Sequence, residues 1–336
     1  MSTASTVGAF LLALAATLGA SEVLVWGLSR LGIKLGLAAG LLGLLTALGA
    51  DAPEISSAAS ALFSGASEVG IGVILGSNLF NLAALLGLPG ILAGRLSFPR
   101  MVPLVDGGVN LLVTLVAAGL LLGMVPGGVA EAVFLVFLAV YAALLALSPR
   151  RVRRLPLPGW AIGAMLLVSA QIHSEEILPD VLRAGRGWLP VWLVPPALVV
   201  IVAASIVMVM AAVSLGQRWH VPAAIVGTVV LASITGLPNL YAAVRLALRG
   251  DGATVISEAF NSNTLNLVAG LGLPALILGT GVPPPSATTA LVWLAALSLT
   301  GIVVLVLQRG LTRTGGVVII GLYAAFLTFL FRTALI

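Results

Sequence analysis

The chain has 336 residues, 60% of them hydrophobic and only 8% charged, with a mean hydropathy of +1.20, against roughly 25% charged residues in a soluble domain. That balance excludes a soluble globular protein and points to a polytopic membrane protein. The net charge of +5 does not mark a nucleic-acid binder, because the 16 basic residues are scattered at helix ends; the lack of cysteine excludes disulfides and thiolate metal sites.

The first stretch, MSTASTVGAFLLALAATLGA, has an apolar core without a basic n-region, so it reads as a first membrane helix rather than a cleaved signal peptide. Apolar runs longer than about 18 residues define spans. They fall near 5–29, 36–65, 69–94, 102–124 and 129–148, then 190–216, 221–248, 254–280, 286–308 and 315–335. The second five lie close to the first five displaced by 185 positions. Pro99, Pro103, Pro126 and the run Pro283 to Pro285 sit in loops or at helix ends, where proline costs little. The expected organisation is a first half over 1–150, a connector over 151–188 and a second half over 189–336.

The connector decides the topology. Leu155 to Gly187 has no counterpart in the repeat, and its LPLPGWAIGAMLLVSAQI is apolar enough to suggest another crossing. If it does not cross, fourteen of the basic residues, including Arg150, Arg151, Arg153 and Arg154, share one side and only Arg218 and Arg332 lie opposite. If it crosses, the split becomes ten against six, a poorer fit to the positive-inside rule. The segment is therefore expected to be interfacial or re-entrant, with Trp160 and Trp188 at headgroup level. Five spans then precede it, and because five is odd the second half enters upside down. The predicted fold is all-α: ten transmembrane helices as an inverted 5+5 repeat with broken helices at the centre, in the cell membrane, with both termini outside.

The chemistry sits in two mirrored motifs, over 46–89 and 231–274. SNLFNLAALLGLP (Ser77 to Pro89) matches SNTLNLVAGLGLP (Ser262 to Pro274) at nine of thirteen places, and the same offset puts Pro53 on Pro238 and Glu54 on Asn239. Repeated broken-helix polar motifs in two halves are what a transporter built on an internal repeat carries. Pro53 breaks the helix beside Asp51 and Glu54, and the carbonyls it frees are candidate cation ligands. Asp51 and Glu54, one turn apart, supply hard oxygens and a charge of −2, suited to a divalent ion such as calcium. Ser77, Asn78 and Asn81, with Thr235, Asn239, Ser262, Asn263 and Asn266 in the second half, add hydroxyl and amide oxygens without adding charge. Such a pocket also suits sodium.

At these residues the chain resembles the calcium/cation antiporter superfamily, the sodium/calcium exchangers and their proton-coupled relatives. GADAPE with GSNLFN is similar to the first α-repeat of that group, and ITGLPN with NSNTLN to the second. The resemblance implies a secondary antiporter rather than an enzyme, exchanging calcium or a similar cation for sodium or protons by alternating access, with Glu54 a main ligand and Ser77 and Asn81 beside it. It implies no cofactor, no nucleic acid and no obligatory protein partner; the partners are the transported cations and the lipid bilayer. Three departures stand out. Asn239 and Asn266 occupy places where relatives carry acids, and Asp51 replaces a small hydroxyl residue. Two carboxylates in a poorly hydrated pocket repel, so one is a candidate proton site.

Blander readings stand beside these. The asparagines can link helices and the serines can permit close packing, and Asp51 can cap the broken helix. Glu22 lies in mid-span opposite Val207 and either borders the ion path or pairs with a helix amide. Glu68 and Glu258 sit near predicted helix ends, where solvation is the simplest reading, although Glu258 is close to the second motif. His173, His220, Glu175 and Glu176 lack metal-ligand spacing. The alternatives to calcium exchange are an antiporter for another cation on the same scaffold and a degenerate, non-transporting relative.

Overall fold

The computed structural model describes residues 2–35, 39–146, 154, 158, 159, 162, 188–278 and 283–334. The expected interfacial connector over 155–187, with Trp160, therefore falls almost wholly outside the described residues. The first half contains α1 (Thr3–Lys34), α2 (Ala39–Ala50), α3 (Ala52–Phe63), α4 (Ser67–Asn81), a π-helical turn (Leu82–Gly87), α5 (Leu88–Ala93), α6 (Met101–Leu121) and α7 (Gly127–Ala146). The second contains α8 (Leu189–Trp192), α9 (Val194–Arg218), α10 (Ala223–Ile225), a π-helical turn (Val226–Leu231), α11 (Ala232–Thr235), α12 (Leu237–Leu248), α13 (Gly252–Leu265), a third π-helical turn (Asn266–Gly272), α14 (Leu273–Leu278), α15 (Pro285–Gln308) and α16 (Arg313–Ala334). The two shortest elements, β1 (Arg95–Leu96) and β2 (Leu311–Thr312), pair antiparallel.

Among the described residues six helices are long and apolar enough to cross a bilayer: Thr3–Lys34, Ser67–Ala93, Met101–Leu121, Leu189–Arg218, Pro285–Gln308 and Arg313–Ala334. Ala223–Thr235 with Leu237–Leu248 makes a further one if the 46° bend between them is allowed. The helix over Ser67–Ala93 is buried on almost every side, whereas the other five bury less than half of their apolar window. A helix apolar all round belongs at the centre of a bundle, and the main hydrophobic core gathers on it through Ile74, Leu75, Leu79, Leu82, Leu85 and Leu86. A smaller cluster of Ala20, Leu24, Ala197 and Ile201 joins α1 to α9.

The repeat of 185 positions is carried into the elements. Displacing Ala52–Phe63 and Leu88–Ala93 by 185 gives the bounds of Leu237–Leu248 and Leu273–Leu278. Gly65 and Gly250, related by the same offset, both end their helices with φ near 80° (82° and 84°), a conformation that L side chains resist. Counterpart helices run in opposite directions. Thr3 at the start of α1 accepts a hydrogen bond from Arg218 at the end of α9 (3.4 Å), while Lys34 at the end of α1 lies 3.8 Å over the ring of Trp188, which precedes α8. Likewise β1, which leads into α6, pairs with β2, which follows α15.

Sequence explains the bends. Proline lacks an N–H and crowds the carbonyl four residues back. Pro89 and Pro274 each follow a π-helical turn, over Leu82–Gly87 and Asn266–Gly272, whose extra residue relieves that crowding. Close backbone approach fixes how α4 meets the second half. A Cβ on Gly76 would strike the backbone of Thr228, and one on Gly227 would strike that of Val69. Gly76→Ala is therefore expected to cost about 1–3 kcal/mol through forced separation of the two helices, read as a lower thermal midpoint in detergent; an unchanged midpoint contradicts this packing.

Candidate cation site

The break at Pro53 is a bend rather than a gap. Asp51 sits between α2 and α3 with helical backbone angles (φ −81°, ψ −4°), its N–H bonded to Ala47 O (2.8 Å) and its C=O accepting from Ile55 N (3.0 Å). It occupies the N-cap position of α3 but its side chain makes no capping bond, so the carboxylate is free for other partners. The carbonyl that Pro53 cannot serve, Gly49 O, accepts from Ser21 Oγ at 2.8 Å. That corrects the expectation that freed carbonyls wait there for a cation: this one is satisfied from α1.

Across the bundle, α4 and α13 meet at their motifs. Asn78 Nδ2 donates to Asn263 O (3.2 Å) and Asn263 Nδ2 donates to Asn78 O (2.9 Å). The two asparagines, 185 residues apart, thus tie the halves together about a local two-fold. Asn81 Nδ2 donates to Ser262 Oγ (3.1 Å), and Ser262 Oγ donates to Asp51 Oδ1 (2.6 Å). Asn239 Nδ2 donates to Asp51 Oδ1 (2.9 Å) and reaches Glu54 Oε1 (3.4 Å). Asn239 is thus the donor that holds the two acids together.

Asp51, Glu54, Asn81, Asn239 and Ser262 form one connected cluster, each at most 3% exposed. Asn78 and Asn263 lie beside it on α4 and α13. Ser77, Thr235 and Asn266 are equally buried, but none makes a side-chain bond to the cluster; Thr235 Oγ1 donates to Leu231 O of its own helix (2.9 Å). What the cluster and the buried polar residues of the same two motifs lack is partners for their oxygens. Asp51 Oδ2, Glu54 Oε2, Ser77 Oγ, Asn78 Oδ1, Asn81 Oδ1, Asn263 Oδ1 and Asn266 Oδ1 are buried without a hydrogen bond. Buried polar atoms are satisfied in most native structures, and a concentration of orphaned hard oxygens around two carboxylates is the chemistry of a dehydrated cation. Among the described residues no three His, Cys, Asp or Glu side chains converge on one ion, so most ligands there are neutral.

Other acids are placed differently from expectation. Glu258 lies within α13, one turn before Ser262, and is half-buried rather than fully solvated, with Oε2 buried and unpartnered. Glu22 is exposed on α1 rather than turned inward. Glu68 is half-buried and accepts from Ser286 Oγ (3.3 Å), and His220 is exposed in a turn; His173, Glu175 and Glu176 lie outside the described residues. Sequence reasoning passed over Asp106, which accepts from Ser257 Oγ (2.5 Å), and Glu131, both of whose oxygens are buried without partners. Their signal was available: each is an acid inside a predicted span.

A buried cluster of acids and unsatisfied neutral oxygens, at bent helices of an apolar bundle, defines a membrane transporter for cations. The chain belongs to the sodium/calcium exchanger protein family, whose model matches residues 5–149 and 189–332. It is a membrane antiporter of that family, not an enzyme. CaxA of Alkalimonas amylolytica is 26% identical over 267 residues, 75% of either chain. The crystal structure of the H+/Ca2+ exchanger CAX superposes with a TM-score of 0.71 at 16% identity, over 96% of this chain and 82% of that one. The sodium-calcium exchanger NCX_Mj gives 0.63 at 20% identity, over 97% and 99%. These structures share the fold.

Proposed function

We propose that the protein exchanges calcium, or a divalent cation of similar size, for sodium or protons by alternating access. In this reading Asp51 and Glu54 are the charged ligands, and Ser77, Asn78, Asn81, Thr235, Asn239, Ser262, Asn263 and Asn266 supply neutral oxygens from both halves. The observation that carries it is the set of buried oxygens without donors around Asp51 and Glu54. Opposed counterpart helices and the shared 185-residue offset support ten spans in an inverted 5+5 arrangement, halves at 1–150 and 189–336 joined by a connector, with the basic loops inside and both termini outside. Rocking of one half against the other would then expose the pocket to each side in turn.

The test is radioactive calcium uptake into proteoliposomes under imposed sodium or pH gradients. Uptake driven by either gradient supports the reading and identifies the counter-ion; no uptake under both contradicts it. Asn239 favours one second reading: with an amide where relatives carry an acid, the substrate is a less highly charged cation. Uptake of a monovalent tracer without calcium uptake would select it.

A further inference from the structure

We propose that the clasp made by β1 and β2 is a binding site for an anionic phospholipid, whose phosphate is held by Arg95, Arg309 and Arg313. This surface lies away from the cation pocket, and the proposal does not rest on the exchange reading. A ladder of two residues per strand is too short to stand alone. What holds it is Leu96 and Leu311, which face each other in register and are both buried in the main core. Strand alternation then leaves Arg95 exposed. The chain between α15 and α16 is bonded to itself: Thr312 Oγ1 donates to Gln308 Oε1 and accepts from Gly315 N (3.1 Å). Glycines make room for the arginines. A Cβ on Gly94 would lie 3.5 Å from Arg313 Nε, and one on Gly310 would lie 3.6 Å from Arg95 Nε, so each of these guanidinium groups rests against the glycine that flanks the opposite strand. Arg309 has a left-handed backbone (φ 49°), which residues other than glycine, asparagine and aspartate rarely take.

Topology alone does not call for this construction, because the positive-inside bias counts a charge wherever it falls in a short loop. Arg95, Arg309 and Arg313 are exposed, and among the described residues their guanidinium groups make no hydrogen bond or ion pair. Asp251 precedes Gly252, which packs against Leu96 and Ser97, but its Oδ1 already accepts from Thr254 N (3.2 Å) as the cap of α13. The clasp therefore presents an excess of cationic donors. The repeat does not reproduce it, since the counterparts of Arg309 and Arg313 under the 185-residue offset are Met124 and Gly128. Guanidinium groups engage phosphate oxygens through paired N–H donors. Exposed hydrocarbon begins within a turn of each arginine: Leu92 lies three residues before Arg95, Leu307 two before Arg309 and Val317 four after Arg313, at 48%, 76% and 58% exposure. Cations at the end of the bundle with apolar side chains running away from them match an anionic head joined to acyl tails, as in the charged leaflet of a bilayer. A soluble phosphate would leave the apolar part unused.

The experiment titrates the purified full chain in detergent with phosphatidylglycerol or phosphatidylcholine and counts bound lipid by native mass spectrometry. At about fivefold for each arginine near an anionic headgroup, the native protein is expected to prefer phosphatidylglycerol by about a hundredfold. The pair Arg95→Gln and Arg313→Gln is expected to weaken phosphatidylglycerol binding by about twenty-five-fold, with phosphatidylcholine binding and the thermal midpoint unchanged. Lysine at both positions keeps the charge without the paired donors, and is expected to bring affinity back to within about fivefold of native. Arg332→Gln, at the other end of α16, is expected to change nothing. Equal affinity for the two lipids in the native protein overturns the site, as does a loss in Arg332→Gln matching that of the glutamine pair, which would mean diffuse surface charge. A lysine pair as weak as the glutamine pair would mean a packing defect and overturns it too. Inorganic phosphate that displaces phosphatidylglycerol at equal concentration would make the ligand a soluble anion and contradict a lipid site.

Discussion

Glu54→Gln is expected to lower gradient-driven cation exchange by about a hundredfold or more, about 2.8 kcal/mol at 1.4 kcal/mol per decade. The substitution keeps size and one carbonyl oxygen, and it replaces the charge and the second ligand oxygen by an amide NH2. Glu54 is fully buried, its Oε1 receives one long bond from Asn239, and its Oε2 has no donor. Among the described residues no donor or ion pair meets Oε2, so the carboxylate is available to an incoming cation. Folding should survive, because an amide is cheaper to bury than a carboxylate. The thermal midpoint without cation is therefore expected to hold or rise while flux disappears. Flux retained at the native rate in Glu54→Gln removes Glu54 from the site.

The second large effect is expected from Asn239→Asp. Asn239 Nδ2 bonds to both Asp51 and Glu54, so the substitution deletes the donor between two acids and adds a third charge against them. Like charges a few ångströms apart in a poorly hydrated site repel by several kcal/mol at most. Without cation the variant is expected to unfold at a lower temperature than the native protein. With saturating calcium most of that loss should be recovered, since a ligand that binds only the folded form stabilises it by mass action. The calcium-induced rise in thermal midpoint is thus expected to be larger in the variant than in the native protein. An equal or smaller rise would place Asn239 away from the cation.

Much of this architecture was legible because the chain punctuates it. Proline, glycine and charge bound each apolar run, and predicted spans such as 69–94, 221–248 and 254–280 lie within a few residues of Ser67–Ala93, Ala223–Leu248 and Gly252–Leu278. The mirrored Ser-Asn-x-x-Asn motifs marked the helices that meet through Asn78 and Asn263. What escaped was non-local. Ser21 reaches the carbonyl that Pro53 leaves open from 28 residues away, and no spacing rule connects them. Glu258 falls near the start of the predicted span 254–280, which makes solvation the simplest reading, and the repeat adds no signal because its counterpart is Val73. Asp106 and Ser257, 151 residues apart, belong to no repeated motif. The repeat reveals what the halves share, whereas Glu258 and Asp106 are what they do not.

The most direct measurement of the central claim is anomalous diffraction from crystals soaked in strontium or manganese, which scatter where calcium would bind. The account predicts an anomalous peak within about 2.6 Å of carboxylate oxygens of both Asp51 and Glu54, lost in Glu54→Gln. A peak elsewhere in the bundle, with those two carboxylates bare, would contradict it.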